Sequence, residues 1–219
     1  MLQLEHLSKS FGEKTIVHDV QFSLKESQIA AIHGASGTGK TTLLHMIAGI
    51  IEPDEGTVVV CGQNIHLLKE QERRIFLAEH VGLVFQSFHV LPYLTVLENI
   101  LLPSLFYKNP RQDVEKRILR LLDRVDMASM IHTKVAELSG GQRQRVAVVR
   151  ALAHSPKLIL ADEPTGNLDE KVGLEVMDLL HTMAKEEGVG VLLVTHEGEY
   201  LKNIPLIWEL DKGSLQLRK

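Results

Sequence analysis

The sequence predicts an α/β fold: a parallel sheet covered by helices, with an antiparallel β-subdomain early in the chain and an α-helical insert in its middle. Three observations carry that expectation. Apolar runs of strand length at 28–33, 81–85, 157–162 and 191–195 alternate with helix-length segments, the rhythm of a parallel sheet covered on both faces. Residues 17–24 (VHDVQFSL) alternate apolar and polar with period two, as antiparallel strands with one solvated face do. From 87 to about 137 the texture changes: Pro92, Pro103 and Pro110 punctuate it, and Val114, Ile118, Leu121, Leu122 and Val125 recur at helical spacing. The expected organisation is one domain, 1–219, with a core formed by about 1–86 and 138–219 and a helical subdomain over about 87–137.

Each element has its own local signal. Residues 28–33 (QIAAIH) read as a buried strand running into a glycine-rich segment, and 42–48 (TLLHMIA) as the helix leading out of it. Pro53-Asp54-Glu55-Gly56 is a turn, followed by a strand over 57–61. A polar helix is expected around 69–76 and a buried strand over 81–85. Phe88, Val90, Leu91, Pro92, Tyr93 and Leu94 are unusually apolar for a loop. They either pack the insert onto the core or form a docking surface, and sequence leaves both readings open. The last third gives a buried strand at 157–162, an amphipathic helix over 170–186 stopped by Gly188, and a strand at 191–195.

Composition excludes several classes. The 219 residues suffice for one well-buried α/β domain with an inserted lobe. Lys and Arg number 24 against 28 Asp and Glu, so no overall basic field points to nucleic acid. The single cysteine, Cys61, excludes an internal disulfide framework and a multi-cysteine metal site, and it fits a reducing cytosol. The first six residues lack the basic-then-apolar run of a signal peptide, and no apolar stretch approaches the ~20 residues of a membrane span. A membrane role is therefore expected to come through a partner.

Gly34-Ala35-Ser36-Gly37-Thr38-Gly39-Lys40-Thr41 matches the phosphate-binding pattern G-x-x-x-x-G-K-[ST]. Its glycines let successive backbone N–H groups approach a polyphosphate, and the helix that follows from Thr42 points its positive dipole end at the anion. Lys40 can reach the terminal phosphates, and the Thr41 hydroxyl can ligate the Mg²⁺ that travels with them. A second signal is the apolar strand ending in Asp162-Glu163, at the strand end where α/β sheets bind ligands. Asp162 is placed for the Mg²⁺ shell and Glu163 to polarise an attacking water. In the third, Leu138-Ser139-Gly140-Gly141-Gln142 opens a helix-forming run, with Ser139 as N-cap and the glycines permitting close approach at a second anion-binding helix end.

With these three motifs the chain resembles the ATP-binding-cassette (ABC) ATPases over essentially its whole length. The resemblance implies a P-loop NTPase, RecA-like core. It makes 34–41 similar to the Walker A motif, 158–162 to Walker B and 138–142 to the signature that is highly specific to the family. It implies that Gln86 is the Q-loop glutamine touching Mg²⁺, that Asn167-Leu168-Asp169 is the D-loop, that His196 is the switch histidine, and that Phe11 stacks on adenine. It further implies a head-to-tail dimer, homodimeric in expectation. Each ATP then lies between the Walker A of one chain and the signature of the other, and closure moves integral membrane permease subunits.

Residues 85–100 and 161–169 resemble the subgroup containing the LolD, MacB and FtsE ATPases, which work with large-loop permeases in export, lipoprotein release or division-linked signalling. The expected place is the cytoplasmic side of the inner or plasma membrane, peripheral through the permease, with no nucleic-acid partner. One departure stands out: where the subgroup often follows the switch histidine with Asp, this chain has Glu197. The tail ending at Lys219 is expected to leave no room for a regulatory domain. Two other readings compete: a soluble cassette acting on nucleic acid or ribosomes, and a low-turnover nucleotide-gated scaffold. The first usually carries coiled coils, zinc cysteines or a second cassette, none of which is present.

Overall fold

The computed structural model of the chain describes residues 1–106, 114–166 and 168–218; Pro110 and Asn167, both singled out above, lie outside the described residues. The larger sheet has six strands in the order β10-β9-β3-β8-β7-β6. These are β3 (Ile29–His33), β6 (Val81–Val84), β7 (Leu158–Asp162), β8 (Gly190–Thr195), β9 (Leu206–Asp211) and β10 (Ser214–Leu217). All neighbours are parallel except the β9–β10 hairpin at the edge. The smaller sheet is antiparallel, in the order β2-β1-β4-β5: β1 (Leu2–Phe11), β2 (Lys14–Leu24), β4 (Glu55–Val60) and β5 (Gln63–Asn64).

Both faces of the larger sheet are buried, which is why its strands read as unbroken apolar runs. Alternate residues go to opposite sides with the strand period of two. Ala30, Ile32, Leu158, Leu160, Leu192 and Val194 pack with α1 (Lys40–Ile47) and the smaller sheet. Ala31, Ile159, Ala161, Val191 and Leu193 pack on the other face with four helices, α3 (Val96–Leu101), α4 (Val114–Arg124), α5 (Gly140–Leu152) and α6 (Glu170–Glu187). Insert residues Val96, Ile100, Ile118, Leu122 and Val135 belong to this second cluster, so the insert shares its core with the sheet.

The helix ends follow local chemistry. Thr95 and Glu98 form a reciprocal capping box on α3, and Asp169 caps α6 by accepting from the Val172 amide at 3.1 Å. Gly188 ends α6 in the left-handed region at φ 71°, where the sequence predicted the stop. The helix expected around 69–76 is α2 (Glu70–His80), longer at its end. Nothing in the sequence marks that later stop: His80 stacks on Phe76 with ring centroids 4.4 Å apart, and the chain enters β6 without a glycine or proline. Helix α1 starts at Lys40 rather than Thr42, because Gly39 turns the chain at φ 103°, a conformation L side chains rarely adopt.

Candidate functional site

Parallel register sets the C-terminal ends of β3, β8 and β7 side by side: His33 pairs with Thr195, and Val194 with Asp162. The residues that leave those ends are the glycine-rich loop, His196 and Glu163. Groups far apart in sequence thus meet in the crevice where open α/β sheets bind ligands.

The loop 34–39 wraps around the Lys40 ammonium. Nζ donates to the carbonyls of Gly34 and Ala35, both at 2.9 Å, and the side chain is only 5% exposed. Burial pulls its pKa down, and the nearby charges of Glu163 and Asp162 pull the other way. Ala35, Ser36 and Gly37 form the exposed rim, Thr38 and Gly39 are half-buried, and the Thr38 hydroxyl donates back to Ala35 O at 3.0 Å. A Cβ on Gly34 would stand 2.5 Å from Leu210 O, so the loop start is held against β9.

Thr41, on the first turn of α1, donates from Oγ1 to Asp162 Oδ1 at 3.3 Å, and Thr42 beside it is half-buried. Burial raises the Asp162 pKa; the Thr41 hydrogen bond and His45 oppose the shift. Two oxygens of this kind suit a hard cation that draws its other ligands from phosphates and water. Among the described residues no cluster of three or more His, Cys, Asp and Glu side chains could hold a metal alone.

Glu163 sits at φ 45°, unfavourable for a residue with a Cβ by about 1–3 kcal/mol. Its amide donates to Val194 O at 2.9 Å and its carbonyl accepts from the Gly166 amide at 3.1 Å, so the turn is over-determined. The carboxylate lies 2.7 Å, through Oε1, from His196 Nδ1. A carboxylate so held can accept a proton from a water between it and the loop. Gln86, after β6, is part of the same neighbourhood: a Cβ on Gly166 would come within 3.2 Å of Gln86 Nε2.

Phe11 is 52% exposed at the tip of the β1–β2 hairpin, with the Lys9 ammonium 5.6 Å from its ring centre. The same hairpin reaches the phosphate loop, since a Cβ on Gly39 would meet Ile16 Cγ2 at 2.8 Å. The signature residues are not brought to the loop. Ser139 and Gln142 form a reciprocal capping box, with Ser139 N donating to Gln142 Oε1 at 2.8 Å and Gln142 N to Ser139 Oγ at 3.3 Å. The other bonds of this end run into the insert, from Gln142 Nε2 to Met130 Sδ and from Arg143 to the carbonyls of Val135 and Ala136. A Cβ at Gly140 would meet nothing within 4 Å, while one at Gly141 would stand 3.3 Å from Val172 Cγ1.

Sequence reasoning missed three fasteners around this site. Thr165 Oγ1 donates to Glu197 Oε2 at 2.7 Å, Gln144 Nε2 donates to Pro164 O at 2.6 Å, and Arg150 donates to Phe88 O at 2.9 Å and also to His89 O. Only Glu197, next to His196, carried a sequence signal. The apolar stretch 88–94 divides between the two readings left open. Val90 packs on the core, and buried Asn99 pins the segment by bonding both the amide and the carbonyl of Leu91, while Tyr93 is 69% exposed. Behind it an apolar groove of about 810 Å³ runs between Ile50, Leu77, Phe85, His89, Leu105 and Phe106.

Comparison with known proteins places this geometry. The family described as ABC transporter matches residues 17–166. The lipoprotein-releasing system ATP-binding protein LolD of Hydrogenovibrio crunogenus is 40% identical over 217 residues, covering 97% of this chain and 94% of the relative. The ABC transporter ATP-binding protein YxdL of Bacillus subtilis is 38% identical over 200 residues, 90% of this chain and 78% of the relative. Two dimeric structures of the ABC transporter cassette MJ0796, one in a post-hydrolysis state with ADP and Pi, superpose with TM-scores of 0.90 and 0.91. Both are 36% identical to this chain and cover 100% of it and 98% of the solved chain. With a phosphate loop, an acid–histidine pair and a capped signature helix on this scaffold, the chain belongs to the ABC transporter family, as one of its ATP-binding, ATP-hydrolysing cassettes.

Proposed function

We propose that the chain works as one half of a head-to-tail dimer that encloses two Mg-ATP, and that closure of the dimer drives a permease of the kind served by LolD, MacB and FtsE. The observation that carries this reading is the separation of its two anion-binding helix ends. The loop 34–41 lies in the crevice with Glu163 and His196, whereas Ser139–Gln142 is anchored to the insert. One chain thus offers two half-sites facing different nucleotides, in keeping with the dimeric cassettes it resembles.

Within such a site the residues divide the work. Backbone amides of 34–42, with Lys40, hold the phosphates. Lys40 changes partners, leaving the Gly34 and Ala35 carbonyls for the nucleotide. The partner chain's signature, Ser139 to Gln142 in this numbering, covers the terminal phosphate from the other side. Mg²⁺, held by Thr41, Asp162 and Gln86, would neutralise charge on the phosphates. Glu163 takes the proton of the attacking water, and His196 fixes the carboxylate and faces the terminal phosphate. Phe11 stacks on the base.

The permease docks in the apolar groove between α2 and the insert, next to Gln86, on the cytoplasmic side of the membrane. The exposed Leu105 and Phe106, at 76% and 55%, support this surface over the 88–94 strip alone. No helix of the described residues is long and apolar enough to cross a membrane, so the attachment is peripheral in this reading.

The test is Glu163→Gln with Mg-ATP, followed by light scattering. The expected result is a stable dimer that dissociates without nucleotide; a monomer at high protein concentration refutes the composite site. For the permease, Leu105→Asp should abolish copurification of a polytopic membrane protein from solubilised membranes, while Leu119→Asp on α4 should not. Equal retention in both variants removes the groove from the proposal.

A further inference from the structure

We infer that Gln144 is a positioning residue that couples the signature end of α5 to the turn carrying Glu163, so that each chain transmits between the two nucleotides of the dimer. The inference rests on the composite-site reading above and adds the path between sites.

Gln144 is 1% exposed, a buried amide set between the partly exposed Arg143 and Arg145 in the first turns of α5. Its Nε2 donates to Pro164 O at 2.6 Å, and its Oε1 is buried without a hydrogen-bond partner among the described residues. Burying an amide with half of its polar atoms unpaired is unfavourable, so an apolar side chain would serve packing alone better. The retained bond points to a role for the link it makes.

That link joins the right elements. Gln144 lies five residues after the Ser139 cap, about 7.5 Å along the helix axis, within one rigid helix. Pro164 directly follows Glu163, and its ring fixes φ, so a pull on its carbonyl is passed to the catalytic turn rather than absorbed. The turn's other fasteners, Glu163 N to Val194 O and Thr165 to Glu197, come from β8 and the loop beyond it. The Gln144 bond comes from α5. When the partner's nucleotide loads the signature end, any movement of α5 is delivered to Glu163, which acts on the chain's own nucleotide.

Gln144→Met keeps approximate size and removes the donor; Gln144→Glu can donate to Pro164 O only when protonated. Steady-state ATPase against ATP concentration, thermal melting and a pH series are measured on both. In Gln144→Met the expected result is a kcat about tenfold lower, a KM within about twofold, a Hill coefficient falling from above one to near one, and a lowered melting temperature from the unpaired Pro164 carbonyl. Gln144→Glu should approach wild-type activity at low pH and lose it as pH rises through the carboxyl's burial-raised pKa. An unchanged kcat and Hill coefficient overturn the inference. So does a kcat that falls with melting temperature while the Hill coefficient holds, which would make Gln144 a core residue only. The Glu163→Gln dimer, assembled with and without Gln144→Met, separates the failures. No dimer in either background overturns the composite site and the relay with it; a dimer in both, with an unaffected Hill coefficient, overturns the relay alone.

Discussion

Gly34→Ala places the smallest possible side chain where the phosphate loop leaves β3. Its φ is not in the left-handed region, so the substitution carries no dihedral penalty of that kind, and its effect comes from space alone. The added Cβ would stand 2.5 Å from Leu210 O and 3.0 Å from Thr38 Oγ1. Leu210 is a backbone oxygen in β9, paired beside β3, and cannot swing away as a side-chain tip would. Reaching an ordinary contact of 3.4 Å moves the loop start by about 0.9 Å. The loop amides that follow Gly34, which hold the phosphates in the proposed site, move with it, and so does the resting position of Lys40 Nζ on Gly34 O. A displacement near 1 Å in a positioned group lowers turnover on the order of 100-fold. Gly37→Ala is the control: its Cβ meets nothing within 4 Å, and only its φ of 78° opposes alanine, by about 1–2 kcal/mol. The assay pairs equilibrium binding of a fluorescent ATP analogue with steady-state ATPase, after circular dichroism has shown that both variants fold. Wild-type turnover in Gly34→Ala would refute the claim that the loop is wedged against β9.

Two further outcomes follow from the same site. Burial raises the Asp162 pKa in the folded protein above its unfolded value, so the corresponding stability is fully present below the unfolded pKa, near 4, and is lost as pH rises through the folded one. Asp162→Asn should therefore melt higher than wild type at pH 7 without nucleotide, with the advantage vanishing below about pH 4; a lower melting temperature at pH 7 would contradict this. Glu197→Ala strands the Thr165 hydroxyl, which is 2% exposed, at a cost of about 1–3 kcal/mol. It should lower both melting temperature and kcat with little change in KM, and an unaltered kcat would show that the bond does not serve the role proposed for the turn carrying Glu163.

The legible parts of this protein are those fixed by neighbours in sequence. The turn at Gly39, the Ser139–Gln142 capping box and the Gly188 stop each depend on residues within a few positions. The buried strands β3, β7 and β8 were legible because both of their faces are covered, so they are apolar up to the polar residue at each C-terminal end. The stop of α2 at His80 was not, since no breaker marks it. The split of 88–94 was not legible either, because it turns on Asn99, a buried amide whose partners are backbone groups. Gln144 and Pro164, 20 residues apart, share no pattern that sequence could reveal.

The sequence by itself determined that a glycine-rich strand-to-helix loop, an acidic strand end and a second capped helix exist on one chain, because glycine conformations and helix caps are local. Only the tertiary structure decided how they divide. Strand order is set by pairings among distant segments, each requiring loop closure before any contact forms. That order sets the loop after β3, Glu163 after β7 and His196 after β8 at one edge, while α5 carries Ser139 into the insert and leaves Gln144 buried against Pro164.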